Sequence, residues 1–207
     1  MRGIGAVLMC LALLTLGTVQ AHADTAPIRP GDTIVQGGKK CTLGYVFRRA
    51  GYTMGLTAGH CAATGTITDT DAGVAGTLVG AKFVDENEDW QLIDFGDSPW
   101  SQRIRNTPYW MTATSTPTPG QSMCHYGNGS GAVNCGKTLD VYGSSIAVVA
   151  TGKPGDSGGP CFVPVSADEA TAVGLWHGHD TKVPELGYCV TVNAALRAFG
   201  EHVSTDA

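Results

Sequence analysis

Charge is scarce in this chain. Only 15% of its residues are charged, and no cluster of Lys or Arg stands anywhere along it. A protein that neutralises phosphates needs such a cluster, so nucleic acid and anionic membrane surfaces are excluded as partners. There is no Cys-x-x-Cys pair, which removes the commonest spacing for structural zinc. No internal repeat is strong enough to indicate an array. One continuous apolar run exists, over residues 4–16. It is too short to span a bilayer comfortably and no second run follows, so no membrane anchor is expected.

What is abundant is glycine, with 29 residues in 207, in a chain that is 43% hydrophobic. That suits one compact unit or two small subdomains with many turns. Residues 1–23 read as a signal peptide. Arg2 gives a positive start, the apolar run follows, and Ala21-His22-Ala23 offers small residues where a signal peptidase reads. Cys10 lies inside the run behind the bulky Met9, which speaks against lipidation. Cleavage near Ala23 gives a secreted chain with a net charge of about −6 and six cysteines: Cys41, Cys61, Cys124, Cys135, Cys161 and Cys189. An even count in an exported chain reads as three disulfides, with no metal and no cofactor.

Residues 24–33 are polar, with Pro27 and Pro30, and read as an extended lead-in. Short apolar segments then alternate with glycine-rich turns over 41–47, 52–56, 76–79, 82–84 and 90–95. They resume over 137–142, 145–150, 161–165, 171–176 and 187–192. Regular short strands between turn signals predict an all-β barrel or sandwich. The Pro/Thr stretch 112–120 divides the two series. Val192, Ala195, Leu196 and Phe199 fall at helical spacing, so a single C-terminal helix of about three turns is expected.

The chemistry centres on Gly155-Asp156-Ser157-Gly158-Gly159-Pro160. A serine hydroxyl needs a base to become a nucleophile, and N–H donors for the oxyanion it creates. Glycines let the chain adopt the tight turn that supplies both, and the N–H groups of Gly155 and Ser157 are the candidate donors. The same residues also make ordinary surface turns. A base is offered by His60 in Leu56-Thr57-Ala58-Gly59-His60-Cys61. An orienting carboxylate is offered by Asp89, at the mouth of the apolar strand Trp90-Gln91-Leu92-Ile93. Asp85, Glu86, Glu88 and Asp94 are its rivals, the first three in a solvated turn and the last beyond the apolar part of the strand.

These three motifs run in the order His, Asp, Ser. Together with 41–45, the 124–136 loop, 141–145 and 194–200, they resemble the chymotrypsin-fold serine proteases, and within them the secreted bacterial streptogrisin and α-lytic protease branch. The resemblance spans about residues 37–203. It implies two packed antiparallel six-stranded β-barrels, with the active site in the cleft between them. The organisation then reads as a signal peptide (1–23), the lead-in (24–33), an N-terminal β-barrel (34–111), a linker (112–120) and a C-terminal β-barrel with its helix (121–207). It implies Ser157 as nucleophile, His60 as base then acid, and Asp89 as orienting anion, acting on a peptide or protein substrate as a monomer. Pairing Cys41–Cys61 closes a loop beside the base, Cys124–Cys135 fits the bacterial loop, and Cys161–Cys189 remains.

The chain also departs from the family pattern. A bridge often found before the nucleophile is missing; Thr151 stands at one of its places and the other falls near Val183. His125 takes the place of an arginine that pairs with the aspartate before the nucleophile, so His125 is the expected partner of Asp156. Insertion of a new Ile34-Val35 terminus is the other option, although Thr33 offers no basic cleavage point. Thr151, Lys153, Pro154, Trp176, His177 and Gly178 make the expected substrate pocket. There Trp176 narrows or fills the space, and His177 replaces a serine and lies near Asp89. His177-Gly178-His179-Asp180 has the look of a metal motif but lacks a convincing third ligand. The ten-residue lead-in is too short for the folding pro-segment that bacterial relatives often carry. The reading is a secreted serine endopeptidase. The alternative is a protease-fold binding or adhesion protein with little turnover, and an esterase has no specific support.

Overall fold

The computed structural model describes residues 26–85 and 87–201. The expected signal peptide with its expected cleavage site near Ala23, the start of the lead-in, and Glu86 lie outside the described residues. The described residues form two curled β-sheets and one C-terminal helix.

The first sheet contains β1 (Thr33–Gln36), β2 (Lys39–Thr42), β3 (Tyr45–Arg49), β4 (Tyr52–Thr57), β5 (Ile67–Asp69), β6 (Val74–Phe83) and β7 (Asp89–Asp94). Its order is β2-β1-β5-β6-β7-β4-β3, and it curls as a half-barrel around Ile28, Ile34, Leu43, Val46, Ile67, Ile93 and Phe95. The two segments expected over 76–84 are one strand. A bulge between Leu78 and Gly80 interrupts its register with β7, and this break splits the apolar pattern.

The second sheet contains β8 (Trp110–Thr114), β9 (Ser122–Gly127), β10 (Ala132–Tyr142), β11 (Ser145–Val149), β12 (Pro160–Pro164), β13 (Glu169–His179) and β14 (Leu186–Thr191). Pairing of β12 with both β9 and β13 closes β12-β9-β10-β11-β14-β13 into a six-stranded barrel. Strand β8 joins β13 in parallel from outside that ring. It begins at Trp110, so the chain enters the second sheet before the expected 112–120 linker, and residues 112–114 are strand. Thr112 and Thr114 are β-formers that the Pro/Thr composition disguised.

The sheets dock through one shared core. Met54, Leu56, Trp90 and Leu92 from the first meet Met111, Tyr126, Phe162, Leu175 and Val190 from the second. This explains why β4 and β7 are buried on both faces and read as continuous apolar runs rather than alternating ones. The helix α1 (Val192–Ala198) buries Val192, Ala195 and Leu196, as its spacing predicts. It is about two turns long, because the chain leaves the helix at Phe199 and Gly200 takes a left-handed φ of 73°. Disulfides join Cys41 to Cys61, Cys124 to Cys135 and Cys161 to Cys189.

Candidate active site

His60 lies on the 3₁₀ turn Gly59–Cys61 that follows β4. The turn rests directly on β6 and β7. A Cβ on Gly59 would run into the Lys82 carbonyl, so only glycine allows this seat. Asp89 opens β7 and is 1% exposed. Its Oδ1 accepts the backbone N–H of His60 at 2.7 Å and its Oδ2 accepts from His60 Nδ1 at 2.8 Å. The two bonds fix the imidazole with Nδ1 toward the carboxylate and Nε2 facing away. Of the rival acids, Glu88 pairs with Lys82, Asp85 caps the N–H of Asn87 and Asp94 caps that of Gly96.

A second imidazole reaches the same carboxylate. His177 Nδ1 donates to Asp89 Oδ2 at 2.6 Å, and its ring centroid stands 5.6 Å from that of His60. The register of β13 against β14 shifts between Trp176 and Gly178, and this bulge turns His177 toward the first sheet. Burial alone would raise the Asp89 carboxyl. The hydrogen bonds from His177 and then His60 outweigh it, and the group is lowered to about 2. The exposed ring of Phe83 lies 5.7 Å from His60 and forms a lip beside it.

The 155–160 turn belongs to the second sheet but is held by the first. Thr42 N–H donates to the Ser157 carbonyl at 2.8 Å, and Thr42 Oγ1 donates to the Gly155 carbonyl at 2.7 Å. A Cβ on Gly158 would collide with Thr57 Oγ1 and crowd Ala58, so the turn presses against the strand that leads into His60. Gly155 (φ 99°) and Gly158 (φ 80°) take left-handed conformations that favour glycine. Within the turn, Asp156 N–H donates to Lys153, Gly158 N–H to Trp176 and Gly159 N–H to Asp156. The N–H groups of Gly155 and Ser157 make no such bond among the described residues and remain available to an incoming oxygen. Ser157 Oγ is not hydrogen-bonded to His60 here; such bonds are often long before substrate arrives.

Two sequence expectations about Asp156 need correction. Its fully buried carboxylate is satisfied by backbone: Ser130 N–H donates to Oδ1 at 2.7 Å and Lys153 N–H to Oδ2 at 2.8 Å. Neither His125 nor a new terminus is its partner. Ile34 sits inside β1, paired on both sides. His125 instead donates from Nε2 to the Thr151 carbonyl at 2.8 Å and stacks on Trp176, with ring centroids 3.7 Å apart. Burial lowers its pKa from the ordinary imidazole value, against the opposing pull of Thr151 and Asp156. Gly127 and Gly129 leave the room that the Asp156 carboxylate fills.

Of the expected pocket residues, Thr151, Lys153 and Pro154 are exposed along one side of the turn, and Trp176 is buried under it. His177 and Gly178 are half-buried at the bulge, while His179 is exposed and apart from the carboxylate pair. His60, Asp89 and His177 bring one ligating atom each within 4.8 Å of one another. Their contacts of 2.6 and 2.8 Å are hydrogen-bond spacings. Two ligands sharing a tetrahedral zinc would stand roughly 3.3 Å apart, so the rings must move before they can hold an ion. Thr42, Ser130 and Gly187 bear on the site without any sequence signal that marked them.

No family model matches the chain. It is 31% identical over 186 residues to the uncharacterized protein Rv1815 of Mycobacterium tuberculosis, covering 81% of each. It is 29% identical over 197 residues to streptogrisin-A of Streptomyces griseus, covering 86% of this chain but 62% of that protein's length. Among solved structures, protease A of Thermobifida fusca superposes with a TM-score of 0.70 at 23% identity, over 87% of this chain and all of that one.

Proposed function

We propose that this chain, which shares the fold of protease A of Thermobifida fusca and is 29% identical to streptogrisin-A, is a secreted endopeptidase that cleaves peptide bonds through an acyl-enzyme, with His60, Asp89 and Ser157 as its triad. One observation carries this reading. The carboxylate of Asp89 takes both the backbone and the Nδ1 of His60, which leaves Nε2 free to act toward a serine turn docked on the neighbouring strand.

In this mechanism Ser157 Oγ attacks the scissile carbonyl carbon while its proton passes to His60 Nε2. The carbonyl oxygen becomes an oxyanion and accepts from the N–H groups of Gly155 and Ser157. Asp89, ionised throughout the neutral range, stabilises the imidazolium. The amine leaves with the proton from Nε2. Water then repeats the sequence on the acyl-enzyme and regenerates Ser157. The apolar run at 4–16 and the three disulfides favour action in an oxidising, extracellular setting.

A binding role with little turnover is favoured by one feature, the buried indole beneath the turn. A single experiment separates the two. The mature wild type is expected to react with a fluorophosphonate probe at pH 8, and Ser157→Ala is expected to be silent. An unlabelled wild type would overturn the protease reading.

A further inference from the structure

The space beneath the Ser157 turn is occupied. Two runs of chain flank the turn. One is residues 151–155. The other is the end of β13, where Gly158 N–H donates to the Trp176 carbonyl and Trp176 N–H to that of Gly159, each at 2.7 Å. Consider a peptide with its carbonyl carbon at Ser157 Oγ and its oxygen between the N–H groups of Gly155 and Ser157. The side chain on the acyl side of the scissile bond is then directed into the gap between these runs.

The indole of Trp176 fills that gap and is 1% exposed. On one side a Cβ at Gly152 would stand 2.7 Å from its Nε1 and 2.8 Å from Cζ2. On the other, a Cβ at Gly187 of β14 would overlap Cη2 and stand 2.8 Å from Cζ3. The two glycines are therefore room for the indole, and it has consumed that room. His125 closes the remaining face. Its ring lies within 12° of parallel at 3.7 Å and is pinned by its bond to Thr151. The indole also packs into the apolar cluster of Met123, Ile146, Val148 and Val173. To swing aside it would have to unstack and leave a void in the barrel, each unfavourable.

We infer that Trp176 is the specificity-determining residue of this site, and that it restricts cleavage to bonds whose acyl-side residue is glycine or alanine. The indole occupies the gap between the two runs, so a side chain larger than a methyl group has no depth to enter without displacing it. The inference rests on the serine protease reading and names the substrate class of that same site: peptides with small side chains at the cleavage point.

The test uses the mature full chain, first with the fluorophosphonate probe and then with a peptide library read by mass spectrometry. Wild-type cuts are expected to cluster after Gly and Ala. Trp176→Leu keeps an apolar side chain in the barrel but frees part of the gap. It is expected to raise kcat/KM after Phe, Leu or Met relative to Ala on the order of 100-fold. Wild-type cleavage after Phe or Leu as readily as after Ala would overturn the inference and leave the protease reading intact. So would an unchanged ratio in a folded Trp176→Leu protein. Should that variant fail to fold, the wild-type profile alone decides. A wild type that takes no probe removes the protease reading itself.

Discussion

Asp89 is a carboxylate with three protein donors and almost no water: the N–H and Nδ1 of His60, and Nδ1 of His177. A hydrogen bond to a charged group is worth about 1.5–3 kcal/mol, and a buried charge deprived of one keeps its desolvation cost. His177→Ala is therefore expected to slow probe labelling of Ser157 by about tenfold, equivalent to 1.4 kcal/mol. His177→Ser, which restores a donor, is expected to recover part of the loss. There is a matching stability readout with a definite sign. The Asp89 carboxyl is depressed from 3.8 to about 2, so its stabilisation is present above pH 3.8 and is lost as pH falls through 2. The stability deficit of His177→Ala should shrink as pH falls from 4 to 2. Equal labelling rates in all three proteins would show that His177 packs beside Asp89 without positioning it.

At the scale of elements, the parts legible in the sequence were those with a local cause. The strand that ends at His60, the strand behind Asp89 and the glycine turn at Ser157 each follow from residues within a few positions of one another. The resemblance implies that Trp176 narrows or fills the pocket, and the structure buries it beneath the Ser157 turn. What holds Asp156 was not legible, because the donors are backbone N–H groups of Ser130 and Lys153, which any residue except proline carries. His125 was misread for a related reason: a histidine can be a cation, a hydrogen-bond donor or a flat apolar face, and only packing decides. Thr42 was invisible, since its importance lies in reaching from β2 to a turn 113 residues away. Its hydroxyl donates to the Gly155 carbonyl and accepts the N–H of Asn128 at 3.0 Å. Thr42→Val keeps the shape and removes both bonds. It is expected to cost about 1–3 kcal/mol and, because the turn carrying the Gly155 N–H loses a tether, to slow probe labelling as well. A thermal melt and a labelling time course check this. A lowered Tm with an unchanged rate would mean that Thr42 stabilises the turn without aligning it.

Across the whole molecule, the lead-in, the first sheet and the segment between the sheets meet at a second cluster of charge. Asp32 precedes β1 and Asp69 ends β5, and both are fully buried. Arg105 reaches Asp32 at 3.2 Å and Asp71 at 3.0 Å, and Arg29 reaches Asp32 at 3.3 Å. Asp69 Oδ1 accepts the N–H groups of Asp71 and Ala72, while Oδ2 is buried with no hydrogen-bond partner among the described residues. Burial first, and then the adjacent Asp32 carboxylate, raise Asp69 to about 7. The sign is opposite to that at Asp89. A carboxyl raised in the fold favours the folded state fully below its unfolded value of 3.8, and that advantage is lost as pH rises to about 7. Between pH 4 and 7 the Asp89 contribution is already complete. Asp69, and Asp32 raised by burial in the same direction, withdraw stability across this window. His125, lowered by burial, adds some as pH rises, so the Asp69 share is the difference between wild type and Asp69→Asn. Asp69→Asn offers the same acceptor to Asp71 and Ala72 and a permanent donor on the Asp32 side. It is expected to raise Tm at pH 8 by a few degrees, about 2–4 °C for each kcal/mol gained, to change little at pH 4, and to flatten the profile between. Calorimetry of both proteins from pH 4 to 8 tests this directly. An Asp69→Asn protein whose Tm advantage over wild type does not grow between pH 4 and 8, or that is less stable than wild type at pH 8, would show that Asp69 is held ionised and that Arg105 and Arg29 govern the cluster.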